Sequence, residues 1–466
     1  MVQGLLTGGI MNIIIIGDGK VGYSLAENLS RENHNVTIID KDSEALRKAE
    51  ENLDVMCIKG NGVSTKILME AGVDRSDLII AATTSDEMNM VCCLTAKMLG
   101  VEHTIARIRD PEYASELSLL KKELGLDMVI NPEQAAGSEI TRLIKFPPAT
   151  NVEIFAKGRV EMVEINVTNS MAIADMYLKD ISHRFPSSVL IGAVHRGDEV
   201  IIPNGEFMIK ENDSIYIIGQ PSRVYDFCTR IGIYIQKISS VMVMGGGRVA
   251  YYLTKYLEDM NIKVKIIEID RARCMELTEL VPHALVICGD GSDEELLISE
   301  NFSDMGAFVA ITGRDEDNLI SALLAKHHSV GKIIAKVNKL NHSDIIKSLG
   351  IDSVISPQLI TVNYILRYVR GLQNAMGNPI NALYRIVGGH AEAIELTAGN
   401  SAKYLNIPIK KLNIKKGILL AAIVRKNSII IPHGNDVIKA GDNVILITKD
   451  EIVTDLENII NWENNR

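Results

Sequence analysis

This 466-residue chain has no apolar run approaching the roughly 20 residues that span a bilayer, so it is expected to be soluble and to meet a membrane only through a protein partner. It also lacks any dense Lys/Arg cluster, and 59 acidic against 49 basic residues leave a net charge of −10. Nucleic acid, which calls for a basic face, is thereby excluded as a partner. Its six cysteines, Cys57, Cys92, Cys93, Cys228, Cys274 and Cys288, show no CxxC spacing and sit in apolar or helical stretches. That excludes a disulfide framework or zinc site and reads as core thiols in a reducing cytoplasm. The ten histidines form no metal-ligand pattern, and the acidic run Asp315-Glu316-Asp317 reads as a solvated face rather than a Ca²⁺ loop, so no metal is expected. GxSxG, HExxH and a Cys-His pair are all missing, and no catalytic residue can be named. Residues 1 to 10 carry neither the basic region nor the cleavage pattern of a signal peptide and read as an extension ahead of Met11.

What the chain does have, it has twice. An apolar run leads into Gly17-Asp18-Gly19-Lys20-Val21-Gly22 and a second apolar run ends at Asp40; 228 positions on, Gly245-Gly246-Gly247-Arg248-Val249-Ala250 and Glu268 repeat the arrangement. Strand, glycine-rich turn, helix and strand ending in an acid is the fingerprint of a dinucleotide-binding unit. Further landmarks recur at an offset of 229: Gly60-Asn61-Gly62 as Gly289-Asp290-Gly291, Thr83, Asp86 and Asn89 as Thr312, Asp315 and Asn318, and Ala106-Arg107 as Ala335-Lys336. One inserted residue accounts for the change of offset, which marks a duplication.

Alternating strand and helix signals after each glycine-rich turn predict an α/β fold of two doubly wound parallel sheets of the Rossmann type. Each is followed by short alternating strands separated by turn signals such as Pro203-Asn204-Gly205 and His433-Gly434, predicting a small α+β domain. The expected division is residues 1–10, 11–150, 151–235, 238–375 and 376–460, with linkers at Pro147-Pro148, around Ile235 to Ser239, and from Arg370 to Asn378. The stretch from Pro132 to Phe146 reads as a helix that packs either between subunits or within a core.

In the first unit Gly17 permits the tight turn, Gly19 lets backbone approach a pyrophosphate, and Gly22 allows close helix packing. The helix N-terminus offers N–H groups and a positive dipole end to phosphate. Asp40 suits adenosine ribose hydroxyls and would repel a 2′-phosphate, which favours NAD or NADH over NADP. The second unit, with Ala250 in the third glycine position and Glu268 as its acid, is either a competent site or a decayed turn. Thr83, Thr84 and Thr312 end the fourth strands, where they can donate hydroxyls to a ligand; the alternative is a cap of the next helix, which Thr84 or Ser85 could equally provide. Arg107 and Lys336 end the fifth strands and either meet phosphates or are neutralised by Asp110 or solvent.

These motifs, read over residues 11 to 460, resemble the TrkA family, peripheral nucleotide-binding subunits of bacterial and archaeal Trk potassium-uptake systems, with RCK (regulator of K⁺ conductance) N- and C-type domains in the order N, C, N, C. The resemblance implies NAD(H) and ATP or ADP as ligands. It also implies a homo-oligomer, a tetramer giving a ring of eight Rossmann domains, docked at the inner face of the cell membrane under a potassium channel subunit of the TrkH type. Carried over by motif, the ligand residues are Gly17, Asp18, Gly19, Lys20, Val21, Asp40, Asn61, Thr83, Thr84 and Arg107, then Gly245, Gly246, Gly247, Arg248, Val249, Glu268, Asp290, Thr312 and Lys336. The resemblance implies a non-enzymatic gating subunit; the alternative is an NAD-linked oxidoreductase or a free redox sensor of the NADH/NAD ratio.

Overall fold

Ile13 to Ile16 are at most 3% exposed, as a strand without polar alternation requires when both faces of its sheet are covered. A computed structural model describes residues 9–115, 121, 123–197, 199–338, 351–373, 380–386, 390–449, 451 and 453–462. The first unit alternates β1 (Asn12–Ile16), α1 (Lys20–Arg31), β2 (Asn35–Asp40), α2 (Ser43–Asn52), β3 (Met56–Lys59), α3 (Thr65–Glu70), β4 (Leu78–Ala81), α4 (Asp86–Met98), β5 (His103–Arg107), α5 (Pro111–Ser115), β6 (Met128–Ile130) and α6 (Pro132–Lys145). Its strands pair in parallel in the order β3-β2-β1-β4-β5-β6, so the order reverses between β1 and β4 and opens a crevice at their carboxyl ends.

The first small domain is an antiparallel sheet of β7 (Asn151–Phe155), β8 (Val160–Asn166), β9 (Val189–Arg196), β10 (Glu199–Ile201) and β11 (Ser214–Gly219), with α7 (Leu178–Arg184) and α8 (Pro221–Arg230). The second unit follows as β12 (Ser240–Met244), α9 (Arg248–Asp259), β13 (Lys263–Glu268), α10 (Arg271–Leu280), β14 (Leu285–Cys288), α11 (Glu294–Ser299), β15 (Ala307–Ala310), α12 (Asp315–His327), β16 (Lys332–Lys336), β17 (Ser353–Ile355) and α13 (Pro357–Gln373), with strand order β14-β13-β12-β15-β16-β17. The last sheet is β18 (Ile380–Ile386), β19 (Ala391–Thr397), β20 (Ile418–Arg425), β21 (Ser428–Ile430) and β22 (Asn443–Lys449). The two small sheets share one apolar layer, in which Met162, Ala193 and Ile218 meet Ala393, Ile445 and Ile447. Gly192 lies within that layer, where a Cβ would stand 2.4 Å from the Ile447 terminal methyl and displace it. The duplication reaches single interactions: Arg196 grips buried Asp213 with two bonds of 2.7 and 2.8 Å, and Arg425 grips Asp442 with bonds of 2.9 and 2.7 Å.

The two halves exchange helices. Helix α6 packs on α9 of the second unit, and α13 packs on α1 of the first. The stretch expected between subunits or in a core therefore lies between the two halves of one chain, with Asn131 donating to the Tyr252 hydroxyl at 3.0 Å. The approach is close at Gly137, where a Cβ would lie 3.0 Å from the Leu253 nitrogen and 3.1 Å from the Tyr252 Cβ. Gly137→Val is expected to cost about 1–3 kcal/mol by overpacking this contact, measured by denaturant unfolding; an unchanged midpoint would contradict the packing.

Arg370, expected to begin a linker, is instead inside α13 and 1% exposed. Its guanidinium binds Glu32 at the end of α1 through bonds of 2.9 and 2.7 Å and Glu392 on β19 through bonds of 2.6 and 2.8 Å, with Arg385 adding a 2.7 Å bond to Glu32. Residues 374 to 378 of that expected linker, and residues 1 to 8 of the expected extension, lie outside the described residues. The core-thiol expectation holds for Cys92, Cys93, Cys228 and Cys274, but Cys57 is half-buried and Cys288 is exposed, because β14 is an edge strand.

Candidate functional site

The first glycine-rich loop leaves β1 at Gly17, whose φ of 103° and 3.0 Å approach to the Thr83 nitrogen require glycine. Gly22 is packed still more tightly, since a Cβ there would meet the Gly17 carbonyl at 1.8 Å. Gly19 has open space around its Cβ direction and lies at the N-terminus of α1, with no side chain capping it. Free N–H groups and an open approach are what a phosphate needs.

Asp40 ends β2 with its carboxylate tied to the loop: one oxygen accepts from the Asp18 N–H at 2.5 Å and the other from the Asp42 N–H at 2.9 Å. Each oxygen keeps a second lone pair for a further donor. At the end of β4 the Thr83 N–H and hydroxyl both donate to the Asn89 side-chain oxygen, at 2.8 and 2.7 Å, while the Asn89 amide donates to the Arg107 carbonyl at 2.8 Å. Asn89 is fully buried and so pins the ends of β4 and β5 together. Of the two roles weighed for the threonines, capping falls to Ser85, whose hydroxyl accepts from the Met88 N–H.

Gly17, Asp18, Gly19, Lys20, Val21, Asp40, Asn61, Thr83, Thr84 and Arg107 all line one cavity of about 720 Å³. The same cavity is also walled by the second half, through Val249, Lys336, Asn338, Pro357 and Gln358. Val249 and Lys336, carried over to the second site, thus stand in the first. The Lys336 ammonium donates to the Ile311 carbonyl at 3.1 Å, which leaves two N–H groups to spare, and burial lowers its pKa. Arg107 is 3.7 Å from Glu133 rather than paired with Asp110, which lies 3.9 Å from Arg248. Burial lowers the Arg107 pKa, and its Nε has no partner. Two partly desolvated cations from different halves therefore face a cleft whose other wall is a helix N-terminus, an arrangement suited to phosphate.

Asp18 is the loop's peculiarity. It is 7% exposed, neither carboxylate oxygen has a partner, and burial together with Asp40 pushes its pKa up to about 6. A carboxyl whose pKa is raised on folding lowers stability as pH climbs from its ordinary value of 3.8 through about 6, and the cost persists above that. Asp18→Asn is expected to stabilise the protein by about 1–2 kcal/mol at neutral pH and by almost nothing near pH 4. Urea unfolding at the two pH values checks this, and an equal gain at both would contradict it.

In the second unit Gly245 repeats the left-handed turn with φ 101°, the Gly246 N–H donates to Glu268 at 2.6 Å, and Thr312 and Asn318 repeat the Thr83 and Asn89 bonds. Arg248 begins α9 at an uncapped N-terminus after Gly247. Asp290 accepts from the Ser292 N–H and hydroxyl in a turn beside Glu268, whose carbonyl binds the Gly289 N–H. The difference lies over the loop: Arg273 donates to the Gly246 carbonyl at 2.7 Å, at the position equivalent to Ala45, which lines the first cavity. A Cβ at Gly246 would meet Leu277 at 2.5 Å, so the place Asp18 takes in the first unit is filled here. Sequence reading missed Asn89, Glu133, Arg273 and Gln358 as site-forming residues. Asn89 and Asn318 were visible as repeated landmarks, whereas Arg273 lies in a helix that shares only its position with α2, not its residues.

The described residues hold no group of three or more His, Cys, Asp and Glu side chains able to bind a metal, and no helix among them is long and apolar enough to cross a membrane. The TrkA-N domain matches residues 13–132 and 241–357, and the TrkA-C domain matches residues 162–232 and 393–461. The chain belongs to the TrkA family. Among TrkA relatives it is 35% identical over 455 residues to the Trk system potassium uptake protein TrkA homolog 1 of Methanosarcina mazei, covering 96% of this chain and 99% of that one. It is 32% identical over 455 residues to the Trk system potassium uptake protein TrkA of Vibrio alginolyticus, covering 96% and 98%. The GsuK RCK domain superposes with a TM-score of 0.63 at 18% identity over 95% of this chain and 93% of that one, a likeness of fold. The GsuK channel bound to NAD gives the same TM-score and identity, covering 95% and 77%.

Proposed function

We propose that this TrkA-family chain is a cytosolic regulatory subunit in which NAD(H) and ATP or ADP occupy the Rossmann clefts and set the opening of a Trk-type potassium channel. The observation that carries the reading is the first cavity, where the glycine loop, Asp40, Thr83 and Arg107 of one half face Lys336 and Gln358 of the other. Asp40 receives the ribose hydroxyls, the Gly19 end of α1 receives phosphate, and Arg107 and Lys336 balance the charge. A ligand that touches both halves favours the relative placement of halves in which both sets of contacts are made, and by that differential affinity it shifts the population of ring shapes. Ligands with different numbers of phosphates engage Lys336 to different degrees and so favour different shapes. Lys336 standing in the first cleft, and Arg273 over the second glycine loop, make the two sites unequal.

The ring is a tetramer with eight Rossmann domains under a channel subunit of the TrkH type at the inner face of the membrane. Relatives that share nearly the full length bear Trk potassium-uptake names, and this supports the potassium partner. The chain performs no turnover of its ligands. Potassium flux through vesicles holding a TrkH-type subunit and the added protein, followed with NADH, NAD, ATP and ADP in turn, tests the reading. A flux that changes with nucleotide while NADH stays unoxidised is expected. Flux indifferent to every nucleotide, or NADH consumed when small metabolites are added, would replace this reading with that of an NAD-linked enzyme or free redox sensor.

A further inference from the structure

Of the six cysteines only Cys288 is exposed, and it is not alone. It ends β14 in register with Glu268 on β13, while the Cys274 thiol, on the first turns of α10 and 7% exposed, donates to the Glu268 carbonyl at 3.3 Å. The two thiols flank Glu268, and Cys288 lies near enough to help raise the Cys274 pKa. Two cysteines thus stand beside the acid of the second cleft, one open to solvent and one shielded. The counterparts in the first half are Leu46 and Lys59, so the duplication supplies its own control: the same fold is built there without sulfur.

We infer that Cys274 and Cys288 form a reversible redox pair, oxidised by peroxide to an intramolecular disulfide that bears on the second nucleotide cleft. Its bearing on nucleotide rests on the function proposed above; the disulfide itself does not. Exposed Cys288 is the sulfur a small oxidant reaches, and shielded Cys274 is the neighbour that resolves it. In the first step the Cys288 sulfur attacks hydrogen peroxide, the O–O bond breaks, an S–O bond forms, and one water leaves with a sulfenic acid behind. In the second the Cys274 sulfur displaces that oxygen, forming the S–S bond and releasing a second water. The two thiols lose two electrons and two protons, and peroxide is reduced to two waters. Burial holds the Cys274 pKa up at about 11, so exposed Cys288 is the sulfur that meets peroxide first.

The disulfide removes the Cys274 bond to the Glu268 carbonyl and ties the end of β14 to α10. Glu268 meanwhile holds the loop through Gly246 and the helix cap through Asp270, at 2.6 and 2.8 Å. Oxidation and occupancy of the second cleft therefore oppose one another.

The test treats the full-length protein with hydrogen peroxide, traps remaining thiols with an alkylating reagent, and maps peptides by mass spectrometry before and after dithiothreitol. Cys274 and Cys288 are expected to lose alkylation together and regain it on reduction, with no cross-linked chains on a non-reducing gel. Cys288→Ser should abolish the change, while Cys57→Ser should leave it. Cys288 oxidised to sulfinic acid, or cross-linked between chains while Cys274 stays alkylatable, would overturn the inference. Calorimetry with NADH on the oxidised protein is expected to show about tenfold weaker binding at the second cleft, an ordinary coupling. Formation of the disulfide in a protein whose second cleft binds no nucleotide even when reduced would support the redox pair and count against the nucleotide reading of that cleft alone.

Discussion

Arg370→Ala is expected to destabilise the protein by about 3–5 kcal/mol and to loosen the junction between its halves. The guanidinium is the shared partner of Glu32 and Glu392, both largely buried, and four of its five N–H groups bond them at 2.6 to 2.9 Å. Truncation strands two carboxylates in a low-dielectric setting, with Arg385 left to serve both. The loss falls on contacts joining α1 of the first unit to α13 and β19 of the second half, so limited proteolysis should find those segments opened before either Rossmann sheet unfolds. Arg370→Lys keeps the charge but not the double fork, and is expected to recover less than half of the loss. An Arg370→Ala protein as stable as wild type would mean that the four-residue cluster contributes nothing to the junction.

Lys336→Ala is expected to weaken phosphate-bearing nucleotides in the first cleft about tenfold to a hundredfold, the range of one charge-assisted hydrogen bond of about 1.5–3 kcal/mol. The residue is unusual because it belongs to β16 of the second unit while walling the cavity of the first. Its removal leaves the Ile311 carbonyl without that donor, but takes away no part of the first unit's own fold. A nucleoside without phosphates should bind wild type and variant alike, which separates charge loss from damage to the pocket. If ATP and ADP bind Lys336→Ala with wild-type affinity, the cleft is not shared between the halves.

Much of the fold was legible because it rests on local chemistry. Ile13 to Ile16 and Val241 to Met244 announce central parallel strands, and the two glycine turns with Asp40 and Glu268 set the topology around the crevice. Buried acids break the patterning of β7 and β19. Glu153 in β7 is 9% exposed and Glu395 in β19 is 2% exposed, the latter held by partners remote in sequence. Asn151 donates to Glu153, while Glu395 accepts from the Ala156 N–H of the other half at 2.7 Å and from Asn443. Arg370 was misread for the same reason: an arginine near a glycine looks like the end of a helix until its two carboxylates, one 338 positions away, are in place.

The site was legible residue by residue but not in its assembly. Motif spacing brought together ten residues that line one cavity, since they stand at one unit's strand ends and in the first turn of α1. Assigning Lys336 and Val249 to the second cleft followed from sequence order, whereas the exchange of α6 and α13 between halves decides which cleft they face. Arg273 escaped notice because helix α10 matches α2 in position but not in the side chain it turns toward the loop.

The measurement that bears most directly on the account is calorimetric titration of the purified protein with NADH, NAD, ATP and ADP, on wild type, Asp40→Ala and Lys336→Ala, with nicotinamide absorbance followed in parallel. The account predicts binding without turnover, lost from the first cleft in Asp40→Ala and weakened there for phosphate-bearing ligands in Lys336→Ala. Nucleotide binding untouched by both substitutions would contradict it.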